Sequence, residues 1–272
     1  MEPKLQRWVQ RRGWDRASCH YDRYWADQLH PVVDLLLSTA DLRADEHVLD
    51  VAAGTGAVAL PAARTVGPGG RVLATDIAPK MLDELGRRAA ACGLTHIEVD
   101  PIGAEDIDAD REFDAALCSL GLMYVPSPRT AAAALHHALR PGGRIVASVW
   151  GERRNCGWAD IFPIVDARVS SDVCPMFFAL GAPGALTAVL EAAGFVDVDE
   201  TRLSVELRYL DAESALGAAF DGGPVALAVS RFDDDVLAAA HAEYLASIAP
   251  FSGHGGYRIP GEFVVASARR PS

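Results

Sequence analysis

The stretch VLDVAAGTGAVAL, residues 48–60, constrains the fold more than any other part of the chain. An apolar run that carries Asp50 leads into two glycines, Gly54 and Gly56, one residue apart. Glycines at such a turn let the backbone approach a ligand without a Cβ in the way. With Ala59 the stretch also satisfies the relaxed dinucleotide-binding pattern. Nicotinamide dinucleotides and S-adenosylmethionine (SAM) both use turns of this kind, so the rest of the chain has to decide between them.

Short apolar strands alternate with helices after this turn. RVLATD is predicted to be a strand that ends on Asp76, IEVD and FDAALCSL the next two strands, and RIVASVW the fifth. Buried apolar strands separated by helices are typical of a parallel sheet covered on both faces. We therefore predict an α/β fold with a doubly wound, Rossmann-like sheet, at whose strand ends a ligand binds.

The segmentation indicates one domain over residues 1–272. Residues 1–40 are predicted to form a helical cap rich in tryptophan and tyrosine, and residues 41–150 the ligand-binding core. Two insertions, 151–182 and 211–257, are predicted to act as helical lids that hold a substrate, because both carry many aromatic residues.

Composition limits the classes of partner. Half of the 272 residues are hydrophobic, and the net charge of -12 comes without a basic cluster of useful length, so nucleic acid is not an expected partner. No apolar window is long enough for a membrane span, and the N-terminus lacks the apolar core of a signal peptide. Five cysteines without CxxC spacing favour a reducing cytoplasm and argue against a metal cluster. A cytoplasmic enzyme acting on a small molecule is the expectation; the sequence leaves the oligomeric state open.

Three features favour SAM over a dinucleotide. Asp50 suits the cationic ammonium of a methionine group better than a pyrophosphate, which it would repel. A Pro-Gly-Gly turn precedes the fifth strand in LRPGGRIVASVW, and the chain closes with a long strand, a helical insertion and a last strand, EFVVASARR. The chain resembles class I SAM-dependent methyltransferases, in particular the small-molecule enzymes of ubiquinone and menaquinone biosynthesis. The segments that carry the resemblance are VLDVAAGTG, VLATDIAPKML, FDAALCSLGLMYVPSP and LRPGGRIVASVW. The resemblance implies a seven-stranded sheet whose last strand is antiparallel.

The resemblance also implies roles for individual residues, with S-adenosylhomocysteine as the product. Asp76 would hold the ribose, Ile77 and Met81 would pack on the adenine, and Tyr21 of the N-terminal helix would cover the methionine end. The family usually has an acidic residue where this chain has Gly103, which weakens the assignment of adenine recognition to the residues after it. The implied cofactor-binding residues are Tyr21, Trp25, Asp50, Ala52, Gly54, Thr55, Gly56, Asp76, Ile77, Met81, Ala104, Glu105 and Ser119.

The acceptor site is less specified, because methyl transfer from a sulfonium needs positioning more than a fixed catalytic motif. The residues predicted to contact the acceptor are aromatic: Trp150, Trp158, Phe178 and Tyr257. The candidate proton acceptors are His20, Tyr124, His241 and His254, of which His254 in FSGHGGY and His20 are favoured as catalytic residues. Methylation of oxygen, nitrogen or carbon remains open.

Three alternatives stay open on the sequence. The glycine turn also fits an NAD(P)-dependent oxidoreductase. The cysteines Cys118, Cys156 and Cys174 would serve a thiol or metalloid methyltransferase, although Ala57, Val58 and Ala59 stand where arsenite-methylating relatives tend to have a cysteine. A non-catalytic SAM-binding protein would share the same turn.

Overall fold

The computed structural model describes residues 2–169 and 177–272. The first five strands of its single sheet run parallel: β1 (His47–Val51), β2 (Arg71–Thr75), β3 (Ile97–Asp100), β4 (Phe113–Ser119) and β5 (Leu139–Trp150). The later strands are β6 (Val196–Tyr209), the two-residue β7 (Ser252–Gly253) and β8 (Gly256–Arg269). The order is β3-β2-β1-β4-β5-β8-β6, with β7 paired to β8, and β8 is antiparallel to both β5 and β6. The predicted doubly wound sheet with an antiparallel last strand is confirmed.

Helices cover both faces of this sheet because its central strands are apolar. Residues 48–51 of β1, for example, are all buried. None of the helices within the described ranges is both long and apolar enough to cross a membrane. The α-helices are α1 (Pro3–Ala40), α2 (Ala59–Val66), α3 (Pro79–Ala91), α4 (Pro128–Ala138), α5 (Ile161–Asp166), α6 (Ala185–Ala192), α7 (Ala212–Leu216), α8 (Ala226–Val229) and α9 (Asp234–Ile248).

The strand order reverses between β1 and β4. The chain moves outward from β1 to β2 and β3, then returns to place β4 on the other side of β1. In doubly wound sheets this reversal leaves a crevice at the carboxyl ends of the two central strands, because their following helices lie on opposite faces. The glycine turn after β1 and Ser119 at the end of β4 therefore meet at one edge of the sheet.

The helix α1 continues through Pro31, which lies inside it. Proline removes one helical hydrogen bond and costs about 3 kcal/mol in a helix interior. Val32, Val33 and Leu36 after the proline are buried, at 0, 8 and 0% exposure, so packing against the sheet offsets that cost. One helix of 38 residues thus crosses the carboxyl edge of the sheet.

The C-terminal hairpin begins earlier than predicted. β8 starts at Gly256 and not at Glu262, and it pairs with β6 along its length and with β7 at its start. Gly255 and Gly256 adopt φ values of 105° and 104°, and a Cβ on Gly256 would lie 2.0 Å from the carbonyl oxygen of Tyr209. Gly255 and Gly256, which follow His254, are therefore required by a tight turn.

Candidate active site

A cavity opens at the carboxyl ends of the central strands, beneath α1. It holds about 1060 Å³ of space not filled by protein atoms, its mouth included. Twelve predicted site residues line it: Tyr21, Trp25, Ala52, Gly54, Asp76, Ile77, Met81, Ala104, Glu105, Ser119, Trp150 and Trp158. Seven others do not: His20, Asp50, Thr55, Gly56, Phe178, His254 and Tyr257.

The two glycines of the turn serve different purposes. Gly54 lines the cavity at φ 54°, and a Cβ there would meet no atom within 4 Å, so its backbone lies open to a ligand. Gly56, at φ 93°, faces the protein instead, because a Cβ there would lie 2.9 Å from Leu85 of α3. Gly54 is thus placed for ligand approach, whereas Gly56 allows close packing of the turn on α3.

Asp76 organises the turns around the cavity. Its carboxylate accepts hydrogen bonds from the backbone N–H of Gly54 (2.9 Å) and of Ala78 (2.8 Å). The residue lines the cavity but is only 8% exposed. Burial raises the pKa of Asp76 to about 6, the two backbone N–H groups oppose this shift, and the charge of Asp15 adds to it. The Asp76 carboxylate therefore fixes the backbone at Gly54, in the glycine turn, and at Ala78, just before α3, and it does so at the edge of the cavity.

Asp50 lies behind the turn and is 1% exposed. Neither of its carboxyl oxygens makes a well-formed hydrogen bond in the structure. Burial, and next the charge of Asp76, raise the pKa of the Asp50 carboxyl well above its usual value, and the nearby backbone N–H of Ala59 offsets this only in part. A buried carboxyl group without a partner is costly unless a ligand supplies one. A cationic group such as the ammonium of SAM would be such a ligand, so this part of the site fits that cofactor.

Thr55 was expected at the cofactor, but its hydroxyl donates to Asp22 of α1 at 2.6 Å. Asp22 also forms an ion pair with Arg88 of α3 at 2.7 Å, and Arg88 donates to the carbonyl oxygen of Thr55. Nearer the N-terminus of α1, Asp15 accepts a hydrogen bond from the backbone N–H of Lys80. These contacts hold α1 against the glycine turn and the start of α3. Thr55 therefore fastens the helix that covers the cavity.

Glu105 lines the cavity, yet both of its oxygens already have partners. One accepts from Arg7 of α1, with an N–O distance of 2.7 Å, and the other accepts from the backbone N–H of Ser127. Arg7 also pairs with Asp106 at 2.9 Å. The loop predicted to contact the adenine is therefore tied to the first turns of α1, and the role of Glu105 at the adenine stays a prediction.

Three tryptophans meet on one side of the cavity. Trp150 and Trp158 have ring centroids 4.7 Å apart, and Trp25 lies 6.0 Å from each. Trp25, predicted at the methionine end, thus joins the residues predicted for the acceptor. Phe177 also lines the cavity and lies 5.7 Å from Trp158. We call Trp150, Trp158 and Phe177 the aromatic wall.

Phe178 and Tyr257, both predicted acceptor contacts, lie outside the cavity lining. Phe178 packs behind the aromatic wall, 5.8 Å from Trp158 and 4.7 Å from Phe177. Tyr257 sits at the start of β8, where it pairs with Tyr209 and Ser252. Its position follows from the early start of β8, which holds it in the hairpin and away from the cavity.

The predicted catalytic histidines are exposed and do not line the cavity. His254 occupies the tip of the turn between β7 and β8, and His20 stacks on Tyr24 on the outer face of α1. His241 packs against Phe220 within the second insertion. Of the candidate proton acceptors, only Tyr124 lines the cavity. We therefore assign no base role to the three histidines.

Neither Cys118 nor Cys156, the two cysteines of the thiol alternative that the structure describes, lines the cavity. Cys118 and Cys156 are buried, at 0 and 3% exposure, and burial raises the pKa of each thiol to about 12. Cys174 lies outside the described residues. Among the described residues, no group of three or more His, Cys, Asp or Glu side chains is placed to hold a metal ion.

Sequence reasoning missed several lining residues. Arg7, Gln10 and Trp14 line the cavity from the same face of α1 as Tyr21 and Trp25. Their spacing of three, four and seven residues is that of one helical face, which was a usable signal. Gly222, Gly223 and Pro224 reach the cavity from the second insertion, and they had no local signal.

Known proteins resemble this chain in sequence and in fold. Residues 48–143 match a family model described as a methyltransferase domain. The chain is 35% identical over 224 residues to nocamycin O-methyltransferase of Saccharothrix syringae, spanning 77% of this chain and 80% of that protein. It is 34% identical over 134 residues to the aklanonic acid methyltransferase DauC of a Streptomyces species, spanning 49% and 61%. Its fold resembles the solved structure of Haemonchus contortus phosphoethanolamine N-methyltransferase 2 with SAM (TM-score 0.62, 12% identity, 95% of this chain and 57% of that chain).

The chain therefore belongs to the class I SAM-dependent methyltransferases. It is an enzyme whose methyl donor is SAM. Because the chain belongs to this family, its cofactor is SAM and not a nicotinamide dinucleotide. The oxidoreductase and the non-catalytic alternatives are therefore wrong. The geometry of Asp50, Gly54 and Asp76 is consistent with that cofactor.

Proposed function

We propose that the enzyme transfers the methyl group of SAM to an ionised oxygen atom of a small, largely apolar, aromatic acceptor. The observation that carries this proposal is the composition of the cavity. Its acceptor side is formed by Trp25 and the aromatic wall, and its described lining contains no histidine, lysine or cysteine.

Three polar groups that line the cavity, Asp76, Glu105 and Tyr21, are poorly suited to remove a proton. Asp76 and Glu105 accept hydrogen bonds from the protein. Burial, and then the charges of Asp22 and Asp76, raise the pKa of the Tyr21 phenol above its usual value, so this phenol is a donor. A base is needed only for a nucleophile that starts protonated. The acceptor is therefore a group that ionises on its own near neutral pH, such as a carboxylic acid, an enol or an acidic phenol.

The remaining residues position the two reactants and exclude water. SAM supplies a sulfonium that activates the methyl group. Ala52 and Gly54 would let the methionine portion approach the backbone, Asp50 behind the turn would balance the charge of its ammonium, and Asp76 would accept from the ribose. Residues 1–40 cover the cofactor, and the aromatic wall orients the acceptor ring. An acceptor oxygen with a negative charge is attracted to the sulfonium, and the attraction is stronger in a dry cavity than in water.

The names of the relatives support an oxygen acceptor. One relative is named nocamycin O-methyltransferase, and another is named aklanonic acid methyltransferase. The first similarity extends over three quarters of this chain. The acceptor class that agrees best both with the names of these relatives and with the aromatic lining of the cavity is an acidic natural product that contains a ring.

Acceptors that share one ring system test this proposal. With labelled SAM, an aromatic carboxylic acid or acidic phenol should be methylated, and the matching carboxamide and primary amine should not. Across acceptors of different acidity, kcat/KM should rise with pH through the pKa of each acceptor. Preferential methylation of the amine, or a pH profile that is the same for every acceptor, would contradict the proposal. Calorimetric titration with SAM and with NADH provides the control for cofactor binding.

A further inference from the structure

The first insertion, 151–182, carries two of the three residues of the aromatic wall, Trp158 and Phe177, and both of its ends lie against the same partly buried ion pair. The insertion starts directly after Trp150 at the end of β5. It returns to the sheet at Gly181, before α6. A Cβ on Gly181 would lie 2.2 Å from the carbonyl oxygen of Gly151, so the two ends are in direct contact. Between them, Trp158 and Phe177 face the cavity.

Glu262 of β8 holds the starting end. Its side chain is 10% exposed, and Oε2 accepts from the backbone N–H of Glu152 (2.9 Å) and from Nδ2 of Asn155 (3.0 Å). The backbone carbonyl of Glu262 also accepts from the N–H of Gly151. Hydrogen bonding to Arg202 and Asn155 contributes to lowering the pKa of Glu262 to about 2 despite its burial. The turn after Trp150 is therefore built around one carboxylate.

Arg202 of β6 joins the two ends. One guanidinium nitrogen donates to Oε2 of Glu262 and to the carbonyl oxygen of Gly181, at 2.8 Å in both cases. Its Nε donates to Oε1 of Glu262 at 3.3 Å. The planar, forked guanidinium suits this double role, since it has several donors in a fixed geometry. A single ion pair thus connects the beginning and the end of the segment that bears the aromatic wall.

We propose that Glu262 and Arg202 are a positioning pair that sets the aromatic wall for the acceptor. Neither residue lines the cavity, so they act through Trp150 and Trp158 and do not touch the reactants. The ring centroids of Trp150 and Phe263 are 4.2 Å apart, and Phe263 follows Glu262 in β8, so the strand that carries Glu262 also supports the wall from behind. The proposal rests on the proposed function in taking this wall as the acceptor side.

Glu262→Gln tests the pair, because it keeps the shape and removes the charge. The KM for the acceptor should rise about tenfold, the loss expected for one charged hydrogen bond, while kcat and the Kd for SAM change less than about twofold. Arg202→Lys, which retains charge but not the fork, should give an intermediate KM. Glu46→Gln is the matched control, because Glu46 pairs with Arg144 at 2.7 Å with similar burial at the far edge of the sheet. It should lower stability and leave the acceptor KM unchanged.

Amide hydrogen exchange gives a second readout that needs no acceptor. In Glu262→Gln, peptides covering residues 150–160 and 177–182 should exchange faster than in the wild type, and in Glu46→Gln they should not. Unchanged exchange there, an unchanged acceptor KM, or an equal weakening of SAM binding would overturn the pairing proposal. Faster exchange in an enzyme that methylates amines would instead refute the proposed acceptor and leave the positioning role standing.

Discussion

Replacing Asp76 by asparagine is expected to weaken SAM binding by about tenfold to a few hundredfold. The carboxylate is nearly buried and lies at the cavity, and we propose that it accepts the ribose hydroxyls. Hydrogen bonds to a charged group contribute roughly 1.5–3 kcal/mol each, and about 1.4 kcal/mol corresponds to a factor of ten. Asparagine is preferred to alanine because its amide oxygen can still accept from one of the two backbone N–H groups, of Gly54 and Ala78, that the Asp76 carboxylate holds. Calorimetric titration with SAM measures the change.

Asp114→Asn is the matched control for this substitution. Its carboxylate also accepts from a backbone N–H, that of His47 at 2.8 Å, and pairs with Arg140. It lies at the start of β4, at the opposite edge of the sheet from the cavity. We expect this variant to lose stability without losing SAM affinity. Equal SAM affinity in Asp76→Asn and the wild type would mean that the adenosine binds elsewhere.

The raised pKa of Asp76 predicts opposite pH dependences for binding and folding. SAM affinity should be constant above the pKa of about 6 and fall below it, because only the ionised carboxylate accepts both hydroxyls. The contribution of Asp76 to folding runs the other way: it is complete below the usual pKa of 3.8 and is lost as the pH rises through about 6. In Asp76→Asn, the SAM affinity should depend much less on pH than in the wild type. The pH dependence that is left should come from Asp50. A slope equal to that of the wild type would assign the titration to another group.

The sheet and the cofactor side of the site were predictable because their constraints are local. A strand, a glycine turn and a helix must follow one another within a few residues, and the acidic residue after β2 occupies the corresponding strand end. Gly54 and Asp76 follow from that spacing alone. The position of β8 between β5 and β6 was expected only through the resemblance to a family, because pairing of distant strands leaves no local pattern.

Side-chain direction and long-range partners were not predictable in the same way. Thr55 belongs to the glycine turn in sequence, but its hydroxyl bonds Asp22, 33 residues earlier. Glycines surround His254 in the sequence. In the structure, Gly255 and Gly256 belong to the tight turn between β7 and β8. The wall that includes Trp158 depends on Arg202 and Glu262, which lie on two strands that are paired only in the folded chain. Such features depend on the tertiary structure, and sequence spacing does not encode them directly.

Replacing Asp50 by asparagine is expected to change SAM affinity and stability in opposite directions. SAM binding should weaken by at least about tenfold, since the cationic ammonium loses its charged partner. The free protein should instead become more stable at pH 7, by about 1–3 kcal/mol, because a buried ionisable group without a partner is removed. The sign follows from the raised pKa of Asp50. A carboxyl group whose pKa is higher in the folded than in the unfolded state contributes its full stabilisation below the unfolded-state pKa, and this contribution is lost as the pH rises through the folded-state pKa.

Urea unfolding at two pH values, with and without SAM, measures both effects of this substitution. Without SAM, Asp50→Asn should exceed the wild type in free energy of unfolding at pH 7, and the difference should shrink toward pH 4, where the aspartate becomes neutral. With saturating SAM at pH 7 the order should reverse, because ligand binding stabilises the wild type more. Asp114→Asn, whose carboxylate is fully paired, should be less stable than the wild type at pH 7. If Asp50→Asn also destabilises the free protein and binds SAM normally, then Asp50 is a structural residue, and the ammonium of SAM must have another partner.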